Sequence, residues 1–300
     1  MLPNLDQALV TLETAYDHGI THFDAARVYG SGVCESIVGQ FLRNKRDAVT
    51  VTTKLGLEPP AVPLLNPSTL FTIKKIVRAV PGVEAALRSL IKRQPVKVAR
   101  FSTIEAERSL ETSLKEMATD YVDALLLHEC SLGEANAEEI LLFLETVIRK
   151  GKVRYCGVGT AFANLPKDLD ELKSSYSIVQ FDSNVVHSNA GKITGSVDRL
   201  YITHSIFRPV STLLEMAAPD DSDSSFGVGE DLRKICADKE KLGSLMLLAA
   251  RQQNPHGIVL FASTRPGAIV KNIATWNSYE AMAAEVTAFQ RDIDKLSFGR

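Results

Sequence analysis

Short apolar segments that alternate with helical segments are the feature of this sequence that most limits its fold. Seven segments have the apolar pattern of strands, and most are separated by stretches with apolar residues at helical spacing. A helix between consecutive strands is typical of parallel βα units and argues against a helical bundle or a β-sandwich. The strands are predicted at residues 22–26, 49–55, 121–128, 153–158, 178–183, 200–207 and 257–263.

The length of the chain suits one domain of this kind. It has 300 residues, of which 45% are hydrophobic, and α/β barrels routinely take about this length in one domain. We therefore expect residues 1–300 to form a single α/β domain, a TIM (β/α)8-type barrel. Long βα loops are expected at about residues 56–81, which are rich in proline, and at 218–231, which are rich in Asp, Ser and Gly.

Several local signals place the helices. Gly19 and Gly151 stand where helices commonly end, and Ser102 with Glu105 has the spacing of a capping box. Further helices are predicted near residues 137–150, 239–253 and 282–296. A short helix near residues 165–172 and a weak one near residues 189–198 complete the pattern.

A closed barrel of this type has eight strands, and the sequence supplies seven, so it apparently lacks the first strand. That strand would precede the first helix, where only four residues stand before Leu5. Three explanations stay open: a start codon placed too late, a seven-stranded barrel closed by the first residues or by a partner, and a degenerate protein.

Composition excludes several classes of function. The formal net charge is −2 and the charges are mixed along the chain, so no basic face for nucleic acid is expected. The four cysteines form no Cys-x-x-Cys pair and no zinc spacing, which predicts reduced thiols and no metal site. No apolar run is long enough to span a bilayer, and no targeting segment is evident at the start. We expect a soluble cytoplasmic protein.

Reactive side chains stand at the ends of three predicted strands. Asp24 lies in the first strand, Lys54 ends the second and His128 ends the third, while Tyr29 follows Asp24 by five residues. Taken singly, each has an ordinary structural explanation, such as a carboxylate that caps a turn or a solvated lysine. In parallel βα units, however, the strand ends meet at one edge, so all four side chains are expected in one pocket.

The motifs around these residues resemble those of the aldo-keto reductases. The likeness runs from about residue 5 to about residue 276, and its motifs occur in the family's order on predicted strand ends. They are Phe23-Asp-Ala-Ala-Arg-Val-Tyr-Gly30 with Cys34-Glu35 and Gly39, Val51-Thr-Thr-Lys-Leu-Gly56, Ser109-Leu-Glu-Thr-Ser-Leu114, Asp120-Tyr-Val-Asp123, and Gly151-Lys-Val-Arg-Tyr-Cys-Gly-Val158.

The resemblance implies an NADP-dependent oxidoreductase that passes a hydride between NADP(H) and a small aldehyde, ketone or sugar. Tyr29 would then be the general acid, and the ammonium of Lys54 is expected to bring the phenol pKa down from its ordinary value of about 10 toward neutral. Asp24 would hold Lys54 charged and in place. His128 would orient the substrate carbonyl by hydrogen bonding.

The resemblance also implies cofactor-binding residues. Gln180 matches the family's glutamine that binds the nicotinamide carboxamide, and Gly159-Thr160 replaces its Ser-Asn pair. His204, followed by the matching Ser205, stands where the family stacks an aromatic ring on nicotinamide, although plain packing is an equal explanation for His204.

The adenosine phosphate would be bound by Ser263, Arg265 and Asn272, with Arg265 as a candidate clamp for a 2′-phosphate. A solvated loop charge is the competing explanation for Arg265. NADPH is favoured over NADH, which stays possible. The alternative to an enzyme is a barrel that binds nucleotide without turnover and serves as a regulatory or partner-binding subunit. A monomer or a homodimer is expected.

Overall fold

The computed structural model of the chain describes residues 5–59, 97–98, 101–217 and 229–296. These residues divide into two compact units. The first comprises the chain up to Gly159 together with Leu172–Ser177, and the second comprises Thr160–Glu171 together with the chain from Ile178 onward. That the whole chain is one domain stays a prediction.

The elements alternate along the chain largely as the sequence predicts. The described strands are β1 (His22–Asp24), β2 (Thr50–Leu55), β3 (Leu57–Glu58), β4 (Lys97–Val98), β5 (Val122–His128), β6 (Val153–Gly159), β7 (Ile178–Asp182), β8 (Leu200–His204) and β9 (Ile258–Val259). The described α-helices are α1 (Leu5–Asp17), α2 (Cys34–Phe41), α3 (Thr103–Met117), α4 (Leu132–Ala135), α5 (Glu138–Arg149), α6 (Val210–Ala217), α7 (Glu230–Ala237), α8 (Lys239–Gln253), α9 (Pro266–Asn277) and α10 (Tyr279–Asp294).

Four parallel strands form the sheet of the first unit, in the order β1, β2, β5 and β6. The register sets Asp24 beside Thr52, and Lys54 beside Leu126. Strands β2 and β5 are buried along nearly their whole length, as parallel strands covered on both faces are expected to be. Because the strands are parallel, their carboxyl ends lie at one edge of the sheet.

A network of charges fixes the amino ends of these strands. Asp123 of β5 accepts hydrogen bonds from Arg46 and Arg154, both at 2.8 Å, and from the backbone N–H of Val51 at 2.9 Å. The two guanidinium groups lie 3.8 and 4.4 Å from the centre of the Tyr121 ring. The network holds neighbouring strands in register at their amino ends. Because each strand is continuous, the network also contributes to the alignment of the reactive side chains at the carboxyl ends.

Strands β3 and β4 form a separate antiparallel pair, which the sequence did not predict. Residues 57–58 fall in the stretch that was expected to be loop. Of the expected loops, residues 60–81 and 218–228 lie outside the described residues, and the expected loop at 218–231 is wrong for Glu230 and Asp231, which begin α7. Among the residues that are described, α1 is the first element and no strand precedes β1.

Three parallel strands, β7, β8 and β9, belong to the second unit. The register sets Gln180 beside Ile202 and Asp182 beside His204. Helices α6, α7, α8 and α10 contribute most of an apolar core, whose buried members include Leu213, Leu232, Leu242, Leu245, Val286, Phe289 and Ile293.

The short helix predicted near residues 165–172 and the weak one predicted near residues 189–198 are wrong. Residues 165–172 contain one 3₁₀ turn, at Leu169–Glu171, and residues 189–198 contain one, at Ala190–Lys192. The carboxylate of Asp170 accepts hydrogen bonds from the backbone of Ser196 and Val197. Such side-chain acceptors compete with the helical hydrogen bonds of short segments.

Gly39 of α2 tests how closely the helices of the first unit pack. A Cβ at Gly39 would lie 2.7 Å from the carbonyl oxygen of Glu116 and from the Cα of Met117, and backbone atoms of α3 have little freedom to move. We expect Gly39→Ala to lower the free energy of unfolding by about 1–3 kcal/mol, measured by urea denaturation.

Gly243 in α8 provides the control, because a Cβ there would meet no atom within 4 Å. We expect Gly243→Ala to raise the free energy of unfolding by about 0.5–1 kcal/mol, since alanine is the better residue inside a helix. Equal effects of the two substitutions would contradict the close packing of α2 on α3.

Candidate active site

The first unit brings the four candidate catalytic residues together. Asp24 is the last residue of β1, Lys54 is the last but one of β2, and His128 is the last of β5. Tyr29 begins a 3₁₀ turn after β1. Because the strands are parallel and adjacent, their ends place these side chains at one edge of the sheet.

Lys54 is the most buried charged group of this cluster. Its side chain is only 1% exposed, and its ammonium donates to Oδ2 of Asp24 at 2.5 Å and to the backbone carbonyl of Ala25 at 3.3 Å. A buried ammonium is stable only when a counter-charge and hydrogen bonds replace its water. Asp24, 12% exposed, supplies that counter-charge.

The turn after β1 brings Tyr29 back over the cluster. Gly30 and Gly32 adopt positive φ values of 61° and 87°, which allow the chain to turn sharply before α2. The Tyr29 ring centre lies 4.7 Å from the ammonium of Lys54. The Tyr29 ring also meets the ring of His128 edge to face, with 5.9 Å between the ring centres.

Burial and charge act on Tyr29 in opposite directions. Burial is the larger effect and raises the pKa of Tyr29 above its ordinary value, while the charge of Lys54 and a hydrogen bond with it lower the pKa. The expected drop of the Tyr29 pKa toward neutral is therefore wrong in its net direction. The contribution of Lys54 has the expected sign, but it is smaller than the loss of hydration.

Glu35 and Cys34 lie beside this cluster, and sequence reasoning gave neither of them a role. Glu35 is 3% exposed and accepts hydrogen bonds from Thr53, the neighbour of Lys54 in β2, and from Ser113. Burial raises the pKa of Glu35 and raises the pKa of the Cys34 thiol to about 11. Cys34 is therefore a neutral thiol near neutral pH, and Glu35 connects β2 to α2.

Gln180 and Thr160 come together in the second unit. Both residues are 3% exposed, and the backbone N–H of Thr160 donates to the carbonyl of Gln180 at 3.0 Å. Asn164 donates to the hydroxyl of Thr160 at 3.4 Å. A buried amide at the centre of a strand is a specific polar contact of the kind that binding sites use to orient a ligand.

His204 and Ser205 stand where β8 ends. Nδ1 of His204 lies 2.9 Å from the hydroxyl of Ser205, whose backbone has a positive φ of 65°. The carbonyl of His204 accepts from the backbone N–H of Ser183, which follows β7. The imidazole is therefore held at the strand end, close to the register position of Asp182.

The loop before α9 is organised by Ser263. Its hydroxyl accepts from the backbone N–H of Arg265 at 3.1 Å, and Arg265 is the residue that caps the start of α9. Arg265 is exposed, and Asn272 lies in the second turn of the same helix. A helix start next to an exposed arginine suits an anionic ligand. Lys271 pairs instead with Glu240 at 2.5 Å.

Neither a metal site nor a membrane-spanning helix is found among the residues that the structure describes. Those residues include no group of three or more His, Cys, Asp and Glu side chains that could hold a metal ion. Within the same residues, no helix is long and apolar enough to cross a membrane. All four cysteines are described, and all are free thiols.

The chain belongs to the aldo/keto reductase family. The family model matches residues 3–194, which is more than half of the chain. Curated relatives include the 6-dehydroglucose reductase of Agrobacterium fabrum, 28% identical over 169 residues, which are 55% of this chain and 46% of the relative. The chain spans about half the length of the curated relatives it matches, between 41% and 46% for four of them.

Solved structures show the fold over nearly all of the chain. The glycerol dehydrogenase of Gluconobacter oxydans has a TM-score of 0.62 at 20% identity, covering 94% of this chain and 85% of that one. An aldo-keto reductase of Klebsiella pneumoniae in complex with NADPH has a TM-score of 0.57 at 17% identity, covering 96% and 86%. The fold class expected from the sequence, an α/β chain of the TIM-barrel type, is confirmed.

The pairing of Lys54 with Asp24 leads to a stability prediction. Asp24→Asn leaves a buried ammonium without its counter-charge, so we expect the free energy of unfolding to fall by about 3–5 kcal/mol. The double variant Asp24→Asn with Lys54→Met removes both charges, and we expect it to be more stable than Asp24→Asn alone. Urea denaturation of the single and double variants measures both effects, and a single variant as stable as the original chain would contradict the pairing.

Proposed function

We propose that this protein catalyses NADP(H)-dependent interconversion of a carbonyl and an alcohol, with Tyr29 as the general acid. The observation that supports this most strongly is the convergence of Tyr29, His128 and the Lys54–Asp24 ion pair at one sheet edge. Membership of the aldo/keto reductase family supports the same class of reaction.

Each of the four residues has a definite role in this proposal. A carbonyl that gains a hydride develops negative charge on its oxygen, which needs a proton donor and hydrogen bonds. The hydroxyl of Tyr29 donates that proton. The ammonium of Lys54 stabilises the phenolate that remains, Asp24 holds Lys54 in place, and His128 donates a hydrogen bond that orients the carbonyl oxygen.

The residues of the second unit fit a nicotinamide dinucleotide chemically. The buried amide of Gln180 complements a carboxamide, and the imidazole of His204 offers a flat surface for an aromatic ring. The start of α9 with Ser263, Arg265 and Asn272 suits a phosphate group. The bound cofactor would supply the hydride.

The exposed guanidinium of Arg265 supports NADPH over NADH as the preferred cofactor. A guanidinium binds a phosphate through two parallel hydrogen bonds, and only NADPH has a phosphate on the 2′ oxygen of its adenosine ribose. Small aldehydes, ketones and sugars are the proposed substrates, since related proteins bear the names 6-dehydroglucose reductase and glycerol dehydrogenase.

Removal of the Tyr29 hydroxyl is the direct test of this function. We expect Tyr29→Phe to lower kcat for aldehyde reduction by about 10²–10⁴-fold, because general acid catalysis contributes on that order. The dissociation constant for NADPH, measured by fluorescence titration, should change little. Activity is followed by NADPH absorbance with a panel of aldehydes, ketones and sugars.

Tyr155 is the matched control for this substitution. It is a tyrosine of the same unit, in β6, and 58% of it is exposed. Tyr155→Phe should leave kcat and NADPH affinity unchanged. Full activity of Tyr29→Phe would contradict the proposed acid, whereas NADPH binding with no turnover of any tested substrate would favour a barrel that binds nucleotide without catalysis.

The raised pKa of Tyr29 sets the expected pH dependence. Reduction needs the protonated phenol, so its rate should hold across neutral pH and fall only as the pH rises through a pKa above about 10. Alcohol oxidation needs the phenolate and should therefore accelerate as the pH rises. Profiles of kcat against pH in both directions test this, and a loss of reduction near neutral pH that depends on Tyr29 would contradict it.

A further inference from the structure

An ion pair that the proposed reaction does not use joins the turn of Tyr29 to β3. Arg27 is two residues before Tyr29, and its Nε donates to Oε2 of Glu58 at 2.9 Å. Each of the two side chains is only 13% exposed. A pair this well covered costs more to break than a surface pair, because either partner alone would be left poorly hydrated.

Glu58 is itself fixed by two other parts of the first unit. Its second oxygen, Oε1, accepts a hydrogen bond from the hydroxyl of Ser109 in α3 at 3.0 Å. Its backbone belongs to β3, which pairs with β4. Arg27 is therefore tied to a carboxylate whose position is set by a helix and by a strand pair.

The far end of the Tyr29 turn contacts the residue next to Glu58. A Cβ at Gly32 would lie 3.1 Å from Cβ of Pro59, so the two residues are in close contact. Arg27 and Gly32 flank Tyr29 on either side along the chain. The turn is thus held at both ends against residues 58–59, with the phenol between the two points of attachment.

Arg27 also acts electrostatically on two further carboxyl groups. Its charge lowers the pKa values of Glu35 and Glu116, although burial dominates and raises both. Glu35 in turn accepts from Thr53, the neighbour of Lys54. Arg27 therefore links the turn of Tyr29 to the strand of Lys54 through charge as well as through Glu58.

We propose that Arg27 and Glu58 are positioning residues that hold the phenol of Tyr29 in reach of Lys54 and of the substrate oxygen. The proposal rests on the proposed function of Tyr29 as the acid. For folding alone, the contacts of Arg27 with Glu58 and of Gly32 with Pro59 would be redundant, because β1 and α2 already fix the ends of the turn. They are useful if the phenol of Tyr29 must stay within a fraction of an ångström of a reacting atom.

The test compares Arg27→Gln, Glu58→Gln and the double variant in the full chain. We expect each single variant to lower kcat by up to about a hundredfold, because misplacing a catalytic group by about 1 Å can have an effect of that size. The dissociation constant for NADPH should not change. The double variant should lose no more than either single one, because both remove the same contact. Arg27→Lys, which keeps the charge, should recover part of the loss.

The ion pair of Lys45 with Glu13, 3.0 Å long, provides the matched control. It belongs to the same unit and does not touch the Tyr29 turn. Lys45→Gln should leave kcat unchanged, and thermal melting of every variant shows whether it is folded. Folded variants at Arg27 and Glu58 with the original kcat, or losses that multiply in the double variant, would overturn the proposal.

Hydrogen exchange separates a failure of this inference from a failure of the proposed function. If the original chain turns over no substrate, the proposed function fails by itself, and positioning is read from exchange of the backbone amides at residues 27–33. We expect these amides to exchange faster in Arg27→Gln and Glu58→Gln, while those of residues 50–55 stay as they are. Unchanged exchange in the turn would overturn the positioning role.

Discussion

The arrangement of the first unit depends on one buried charge, the ammonium of Lys54. An ammonium that is 1% exposed is stable in a protein only when a carboxylate and other acceptors surround it, and here Asp24 and the carbonyl of Ala25 do so. That requirement fixes the relation of β1 to β2, because Asp24 must end one strand where Lys54 approaches the end of the next. The same charge then acts on Tyr29, whose ring lies 4.7 Å away.

The two compact units differ in what they contribute. The first contains every residue proposed to handle the substrate proton, and it supports them with two polar networks, one around Asp123 at the amino ends of the strands and one around Arg27 and Glu58 beside the Tyr29 turn. The second contains every residue proposed to bind the cofactor: Thr160, Gln180 within β7, His204 and Ser205 where β8 ends, and Ser263, Arg265 and Asn272 before and within α9. The proposed hydride transfer depends on both sets of residues.

Much of the fold and of the first unit's site could be predicted from the sequence. Buried parallel strands leave long apolar runs, and Asp24, Lys54 and His128 are visible at the ends of three such runs. Gly19, Gly151 and Ser102 mark helix boundaries that the structure confirms. The helices predicted at residues 165–172 and 189–198 were wrong. A short apolar periodicity does not show that a side chain such as Asp170 accepts backbone hydrogen bonds in place of a helix.

Other features depend on contacts that no local pattern records. The partners Arg27 and Glu58 are separated by 31 positions, and Glu58 also bonds to Ser109, 51 positions further along the chain. The pairing of β3 with β4 joins segments on either side of a long intervening stretch. The net direction of the Tyr29 pKa depends on the balance of burial against the charge of Lys54, which only the three-dimensional structure provides.

The most direct test of the account is titration of the purified chain with NADPH and with NADH, followed by nicotinamide fluorescence. We expect saturable binding of one molecule per chain, tighter for NADPH, with the preference reduced in Arg265→Gln. Such a result would mean that the residues of the second unit form a working cofactor site. Failure of both dinucleotides to bind would contradict the central claim that this chain carries out hydride transfer.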